Sequence, residues 1–103
     1  QLTGLLTNAF GASTTPSTGF LTLPRNANYY AIAGTNTITR INYLTADRFP
    51  RGSVVTLLFD QAGANVTSSA FLNLVAGFTS VANASLTLIS NGDGTWREVN
   101  RNH

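Results

Sequence analysis

The sequence predicts an all-β fold, a small β-sandwich or barrel-like domain of short antiparallel strands. Two observations predict it. Segments rich in β-branched and aromatic residues recur about every eight to twelve residues, with turn-forming Gly, Asn, Asp and Pro between them. The last segments alternate apolar and polar residues on both sides of a turn, which is the pattern of a β-hairpin.

The hairpin is predicted at residues 85–101, and we expect it to close the core. Leu86, Leu88 and Trp96 alternate with polar neighbours, as on half-buried strands. The turn at 91–94 reads Asn-Gly-Asp-Gly, and these residues tolerate the positive φ of a tight reversal. The indole of the only Trp can bury its apolar face there and still donate its N–H.

Five earlier segments are predicted as strands, at residues 20–23, 29–33, 35–43, 53–60 and 70–78. In the third, Ile38 and Ile41 are three residues apart, so a bulge or bend near Thr39 is needed to bring both to the core. The fourth is the most apolar and is predicted as a central strand buried on both faces. The fifth fits a strand or a single helical turn, and we favour a strand.

Two regions follow from the change of composition along the chain. Residues 1–19 contain four large apolar residues and then a run of Gly, Ser, Thr and Pro, which predicts an N-terminal arm and linker; a disordered terminus is the alternative. Residues 20–103 are predicted as the β domain. The chain begins with Gln and contains no Met, so we expect a piece of a longer polypeptide.

The composition argues against several function classes. Charged residues are only 10% of the chain and the net charge is +2, whereas soluble domains carry about 25% charged residues. The six arginines are scattered, without the basic groove of a nucleic-acid-binding protein, so no nucleic-acid partner is predicted. Nor is membrane insertion predicted, because no apolar run approaches the ~20 residues of a spanning helix. The absence of Cys excludes disulfides and thiolate metal sites.

The side chains available for catalysis are few. The four carboxylates are Asp47, Asp60, Asp93 and Glu98. Asp93 lies in the predicted turn, where Asp hydrogen-bonds the backbone, and we expect Glu98 to meet an arginine. The single His is the last residue and has no partners suited to a catalytic triad. We therefore predict no enzyme, no cofactor and no metal.

Aromatic side chains are the candidate ligand contacts. Tyr29, Tyr30, Tyr43 and Trp96 could stack on sugar rings. The alternative is packing within the domain, which we favour most strongly for Trp96. Alternation along a strand places Tyr29 and Tyr30 on opposite faces, one toward the core and one toward the surface. The residues predicted to form the core or a subunit seam are Val54, Leu57, Phe59, Leu72, Leu74, Leu86 and Leu88.

The order of motifs over residues 29–101 carries a family resemblance. The segments are 30–41 (YAIAGTNTITRI), 50–59 (PRGSVVTLLF), 73–79 (NLVAGFT), 86–89 (LTLI) and 93–101 (DGTWREVNR). In order and spacing they resemble the C-terminal domain that follows the β-helix trunk of bacteriophage tail spikes and tail fibres. The last segment contains the family's closing pattern, G-x-W-x-E-V-x-R.

The resemblance implies a homotrimer that caps the fibre and meets the host cell surface, without catalysis of its own. The expected location is the virion, in a tail appendage, and the expected partner is a host surface polysaccharide. Composition also favours a trimer, because the chain has more large apolar residues than one small sandwich can bury. The alternative is a monomeric carbohydrate-binding module of a polysaccharide-degrading enzyme.

Overall fold

The structure is a computed structural model that describes residues 10–14, 19–25 and 27–102; for residues 10 and 12–14 it describes the backbone alone. Most of the predicted arm and linker, residues 1–9 and 15–18, lies outside this part of the chain. Residues 10–14, which the sequence assigns to the arm, form a strand that pairs with the rest of the domain.

The described residues form short strands and one 3₁₀ turn, and the all-β prediction is confirmed. The 3₁₀ turn is Thr45–Asp47. The strands are β1 Phe10–Thr14, β2 Phe20–Leu21, β3 Tyr29–Ala33, β4 Thr37–Ile38, β5 Arg40–Ile41, β6 Val54–Phe59, β7 Asn65–Val66, β8 Leu72–Asn73, β9 Phe78–Thr79, β10 Ser85–Ser90 and β11 Trp96–Asn102.

The strands form three sheets. The largest has six strands in the order β1-β3-β6-β10-β11-β8, and the smaller sheets are β2-β5 and β4-β7-β9. Five of the eight strand pairs are parallel, namely β1–β3, β3–β6, β2–β5, β4–β7 and β8–β11. The prediction of antiparallel strands is therefore correct only for β6–β10, β10–β11 and β7–β9. No closed barrel is formed by the described strands.

The four parallel pairs among β1 to β7 arise because the chain winds as three stacked coils. The first coil carries β1 and β2, the second β3, β4 and β5, and the third β6 and β7. Each coil adds one strand to the large sheet, and the chain then passes through the small sheets before the next coil begins. Successive strands in the large sheet therefore run in the same direction, which makes the pairs parallel. Alternation of apolar residues is the same in parallel and antiparallel strands, so the sequence pattern did not distinguish them.

The core lies between the large sheet and the two small sheets. Among the predicted core residues, Leu57, Phe59, Leu72, Leu74, Leu86 and Leu88 are buried, whereas Val54 is 46% exposed. Strand β6 alternates outward and inward residues, so the prediction that it is buried on both faces is wrong for the single chain. Its outward side chains are exposed at Val54 and half-buried at Thr56 and Leu58.

The segment 37–41 turns a corner between two sheets. Ile38 ends β4 and Ile41 ends β5, and both side chains are fully buried. Thr39 lies between the strands, and its N–H donates to the carbonyl of Gly19 at 2.8 Å. The predicted bend near Thr39 is confirmed. Residues 61–69, which lie between two of the predicted strands, contain the additional strand β7, whose two residues are too few to give an alternating pattern.

The C-terminal hairpin is confirmed, with β10 and β11 joined by residues 91–95. The N–H of Asn91 donates to the carbonyl of Thr95 at 3.0 Å. Gly92 has a φ of +87°, and a Cβ there would lie 2.9 Å from the Cβ of Arg51 and 3.2 Å from its backbone. The turn therefore needs glycine both for its φ and for its close approach to the loop before β6.

Asn42 joins two coils from a left-handed backbone conformation, with a φ of 47°. Its side chain is buried. The N–H of Leu23 in the first coil donates to Asn42 Oδ1 at 2.7 Å, and Asn42 Nδ2 donates to the carbonyls of Leu23 and Asp47 at 3.0 and 2.8 Å. Asn42 thus replaces strand pairing at the point where the second coil turns.

Trp96 binds the hairpin to the corner at residues 37–41. Its side chain is 1% exposed, and its Nε1–H donates to the carbonyl of Ile41 at 2.8 Å. The Phe49 ring packs against the indole in an edge-on arrangement with centroids 5.4 Å apart. The buried position that the hairpin pattern predicts for Trp96 is confirmed.

We expect Asn42→Gly to lower the free energy of unfolding by about 2–4 kcal/mol, because it leaves the buried N–H and carbonyl of Leu23 and the half-buried carbonyl of Asp47 without their partner. Asn42→Ala should cost about 1 kcal/mol more, since it also places a Cβ at positive φ. Urea unfolding measures both. Asn83 is the matched control, being exposed with a φ of 69°: Asn83→Gly should change stability by less than about 0.5 kcal/mol. Equal losses at the two positions would refute the bridging role.

We expect Trp96→Ala to destabilise the domain by about 3–5 kcal/mol, the cost of deleting a large buried aromatic side chain. The control is Val99→Ala on the same strand, where the side chain is 56% exposed and the expected loss is below about 1 kcal/mol. Thermal and urea unfolding of both variants provide the comparison. A Trp96→Ala protein as stable as the Val99→Ala protein would contradict the anchoring role of the indole.

Candidate functional site

Two of the four predicted sugar contacts are buried. Tyr30 and Trp96 are 0% and 1% exposed, so neither ring can stack on a sugar, and this part of the prediction is wrong. The hydroxyl of Tyr30 donates toward the carbonyls of Pro24 and Ala27, and burial raises its pKa. Gly11 on the neighbouring strand makes room for the ring, because a Cβ there would lie 2.8 Å from it.

Tyr29 lies on the opposite side of β3 and is half-buried, which confirms that the adjacent tyrosines face opposite sides. It belongs to a surface that we call the outer face. The outer face is formed by the outward residues of β3, β6 and β10, namely Tyr29, Ala31, Ala33, Val54, Thr56, Leu58, Ser85, Thr87 and Ile89.

The outer face contains no charged side chain on these three strands. Its residues lie in registered rows: Ala31 beside Leu58, and Val54 beside Ile89. In the middle row, the hydroxyls of Thr56 and Thr87 are hydrogen-bonded to each other at 3.0 Å. Across these three strands the face is uncharged and rich in apolar side chains that are only partly covered, and exposed Arg97 on β11 borders it beside Ile89.

Tyr43, the remaining predicted sugar contact, belongs to an arginine–aromatic cluster formed by Phe20, Arg40, Tyr43 and Phe71. The Arg40 Cζ lies 4.6 Å from the ring centroid of Phe20, 4.8 Å from that of Tyr43 and 4.1 Å from that of Phe71. Tyr43 and Phe71 are perpendicular with centroids 4.9 Å apart. The cluster is on the surface: Phe20 is 45% exposed, and its other three members are half-buried.

The fold builds the cluster from three separate parts of the chain. Phe20 and Arg40 are register partners in the parallel pair β2–β5, which places them side by side on its outward side. Phe71 comes from the segment just before β8. Sequence analysis identified only Tyr43 of this cluster, because Phe71 is about thirty residues from Arg40 and their contact produces no local pattern in the sequence.

Further arginines flank Tyr43. Arg48 Nε donates to the Tyr43 carbonyl at 3.0 Å, and Arg25 Nη1 donates to the Arg48 carbonyl at 3.2 Å. Asp93 lies close enough to Arg48 for the arginine to contribute to a lowered Asp93 pKa, although hydrogen bonds from Thr95 are the main cause. The surroundings of the cluster are therefore basic, with one carboxylate at its edge.

Glu98 and Arg101 form the strongest polar contact described on the hairpin. Arg101 Nε and Nη2 each lie 2.7 Å from a Glu98 carboxylate oxygen, and the Glu98 side chain is only 4% exposed. The Val75 N–H also donates to Glu98, at 3.0 Å, and Arg101 Nη2 donates to the Ala76 carbonyl at 2.7 Å. The prediction that Glu98 meets an arginine is confirmed, and the pair holds residues 75–76 against β11.

A β-bulge brings the two charges together. Strand β11 carries one extra residue, Val99, between the partners of Thr87 and Leu88. In a regular strand, residues three apart face opposite sides, but the bulge turns Glu98 and Arg101 to the same side. The hydrogen bonds from Arg101 lower the pKa of Glu98, and the carboxylate raises the pKa of Arg101.

Compared with models of protein families, with curated proteins and with solved structures, the chain matches none of them. Within the residues that the structure describes, no three His, Cys, Asp or Glu side chains come together as a metal site. The same residues include no helix with the length and apolarity of a membrane span.

We expect Glu98→Gln to lower the free energy of unfolding by about 1–3 kcal/mol at pH 7, as the loss of charge-assisted hydrogen bonds does. Because the folded-state pKa of Glu98 is lowered, its stabilisation is fully present above the unfolded pKa and is lost as the pH falls through the folded pKa. In urea unfolding between pH 7 and pH 2, the free energies of unfolding of wild type and variant should become equal at the acid end.

Two further variants control this experiment. Arg101→Gln should lose stability at pH 7 and show the same convergence, since it removes the other half of the pair. Arg97→Gln removes an exposed arginine from the same strand and should keep the full pH dependence of the wild type. If the free energies of unfolding of wild type and Glu98→Gln differ by the same amount down to pH 2, the carboxylate charge is not the source of the stabilisation.

Proposed function

We propose that this chain is a non-catalytic trimerisation and host-attachment domain of a phage tail spike or tail fibre. The observation that carries the proposal is the outer face, a sheet surface without charge on β3, β6 and β10 whose side chains are exposed or half-buried in the described chain. The resemblance of residues 29–101 to the C-terminal domains of these appendages points to the same assembly. The domain would then act as part of the virion.

The outer face has the composition of a permanent subunit interface. Val54 is 46% exposed, and Leu58 and Ile89 are half-buried on the same surface. Obligate homomeric interfaces are more apolar than ordinary surface and are depleted in charge. The Thr56 and Thr87 hydroxyls already bond each other, so covering them removes little hydrogen bonding. Packing three copies through this face would remove its apolar side chains from water.

The stacked coils support a position next to a β-helix. Parallel coils that each add one strand to a common sheet are the repeating geometry of a β-solenoid. The antiparallel pairs β6–β10 and β10–β11 then end the parallel stack, as a capping element must. A solenoid end that is capped by an antiparallel hairpin fits the place that the resemblance implies, after a β-helix trunk.

Two of the four carboxylates have structural partners, which supports a role without catalysis. Glu98 is committed to Arg101 and to the Val75 N–H. Asp93 accepts hydrogen bonds from Thr95 within the hairpin turn, as the sequence predicts. Both groups have structural partners that account for their positions. The alternative, a monomeric carbohydrate-binding module, keeps the arginine–aromatic cluster but assigns no use to the outer face.

We expect light scattering after size exclusion to give about three times the 10.9 kDa of one chain at micromolar concentration. Val54→Arg should convert the assembly to single chains, because it places three like charges in the seam. The matched control is Val81→Arg. Val81 is 49% exposed, against 46% for Val54, and lies outside the strands of the outer face, so its variant should remain trimeric. A wild-type mass of one chain at high concentration would refute the trimer.

A further inference from the structure

The guanidinium of Arg40 has aromatic neighbours but no acceptor. Three rings lie within 5 Å of its Cζ, yet no described residue accepts a hydrogen bond from it or pairs with its charge. Arg101 and Arg48 differ, since Arg101 binds Glu98 and Arg48 donates to a carbonyl. Arg40 is therefore held in place by packing while its donors are unused within the described chain.

This arrangement suits recognition of a planar anion. A guanidinium carries five N–H donors in a rigid fork and is weakly hydrated, so it binds carboxylates through two parallel hydrogen bonds. Rings packed on Arg40 hold the fork in one orientation and reduce the ordering that a ligand would impose. Arg25 and Arg48 nearby make the local potential positive, which favours an anionic ligand over a neutral one.

The aromatic rings of the cluster indicate which kind of anion it would bind. Phe20 is 45% exposed, and Tyr43 and Phe71 are half-buried, so aromatic surface lies directly beside the free fork. The Arg40 Cζ is 4.6 Å from the Phe20 centroid. A uronic acid fits these two features together, because its carboxylate is attached directly to a pyranose ring with an apolar C–H face. A glutamate or aspartate side chain offers the carboxylate without that face.

We propose that the arginine–aromatic cluster binds a uronic acid unit of an acidic surface polysaccharide, with Arg40 holding the carboxylate and Phe20 contacting the sugar ring. The inference rests on the attachment role proposed above and gives it a ligand class. It does not depend on the trimer.

The test is calorimetric titration of the 103-residue chain with an oligosaccharide of alternating glucuronate and glucose. The comparison ligand is the methyl ester of the same oligosaccharide, which keeps every sugar ring and removes the charge. We expect the acid form to bind at least about tenfold more tightly than the ester, the effect of a charge-assisted bidentate contact. Equal binding of acid and ester, or binding of neither, would overturn the proposal.

Variants locate the site. Arg40→Gln should abolish the preference for the acid, and Arg40→Lys should lose most of it, because an ammonium cannot form the planar fork. Phe20→Ala should weaken acid and ester by similar factors. Arg97→Gln, which changes an exposed arginine outside the cluster, should bind like wild type. Melting curves establish that each variant is folded. A folded Arg40→Gln protein that keeps the preference would overturn the proposal, as would an Arg97→Gln protein that loses it.

Two further measurements separate this inference from the proposed function. Polyglutamate that binds as tightly as the uronate oligosaccharide would overturn the sugar assignment in favour of an acidic peptide. Adsorption of the labelled domain to bacteria with acidic and with neutral capsules tests attachment independently. Adsorption without preference for acidic capsules would keep the attachment role and overturn the uronate inference. Assembly is measured by light scattering without any sugar, so its result bears only on the trimer.

Discussion

The corner at Ile41 and Asn42 is the constraint on which the rest of the structure depends. The Ile41 carbonyl accepts the Trp96 indole N–H, and the Asn42 side chain bonds both backbone groups of Leu23 and the carbonyl of Asp47. The contacts with Leu23 and Ile41 are buried, so water cannot replace a lost partner there and each missing bond costs the full desolvation of its group, whereas the Asp47 contact is half-buried. One corner therefore fixes the first coil, the second coil and the hairpin relative to each other.

Both candidate functional surfaces follow from this corner. Arg40 precedes Ile41, so a strand that buries the isoleucine must turn the arginine outward, beside Phe20 on the paired strand. Stacking the coils in register also aligns β3 with β6, and the antiparallel β10 extends that sheet. The outer face is the side of this sheet opposite the core. A change that displaced the corner would disturb the cluster and the outer face together.

The sequence predicts what is local and misses what depends on distant partners. The hairpin and its Asp93 turn were predictable because alternation and turn chemistry act over a few residues. The spacing of Ile38 and Ile41 likewise predicted a bend, and the structure has a corner there. The alternation of apolar residues did not indicate strand direction, and nothing in the sequence indicated the hydrogen-bond partners of Asn42. For the candidate site, alternation separated Tyr29 from Tyr30, but burial removed Tyr30 and Trp96 from the predicted sugar contacts.

The small number of charges makes their placement informative. The chain has six arginines and only four acidic side chains. The carboxylate of Glu98 pairs with Arg101 at the bulge. Arg40 is packed among rings and has no acidic partner among the described residues. The outer face receives no charge at all on β3, β6 and β10, although an uncharged apolar sheet surface promotes association in water. Charge is thus absent from β3, β6 and β10 on the surface that the proposed assembly would cover. Arg40, which has no acidic partner in the described chain, lies where the proposed acidic ligand would bind.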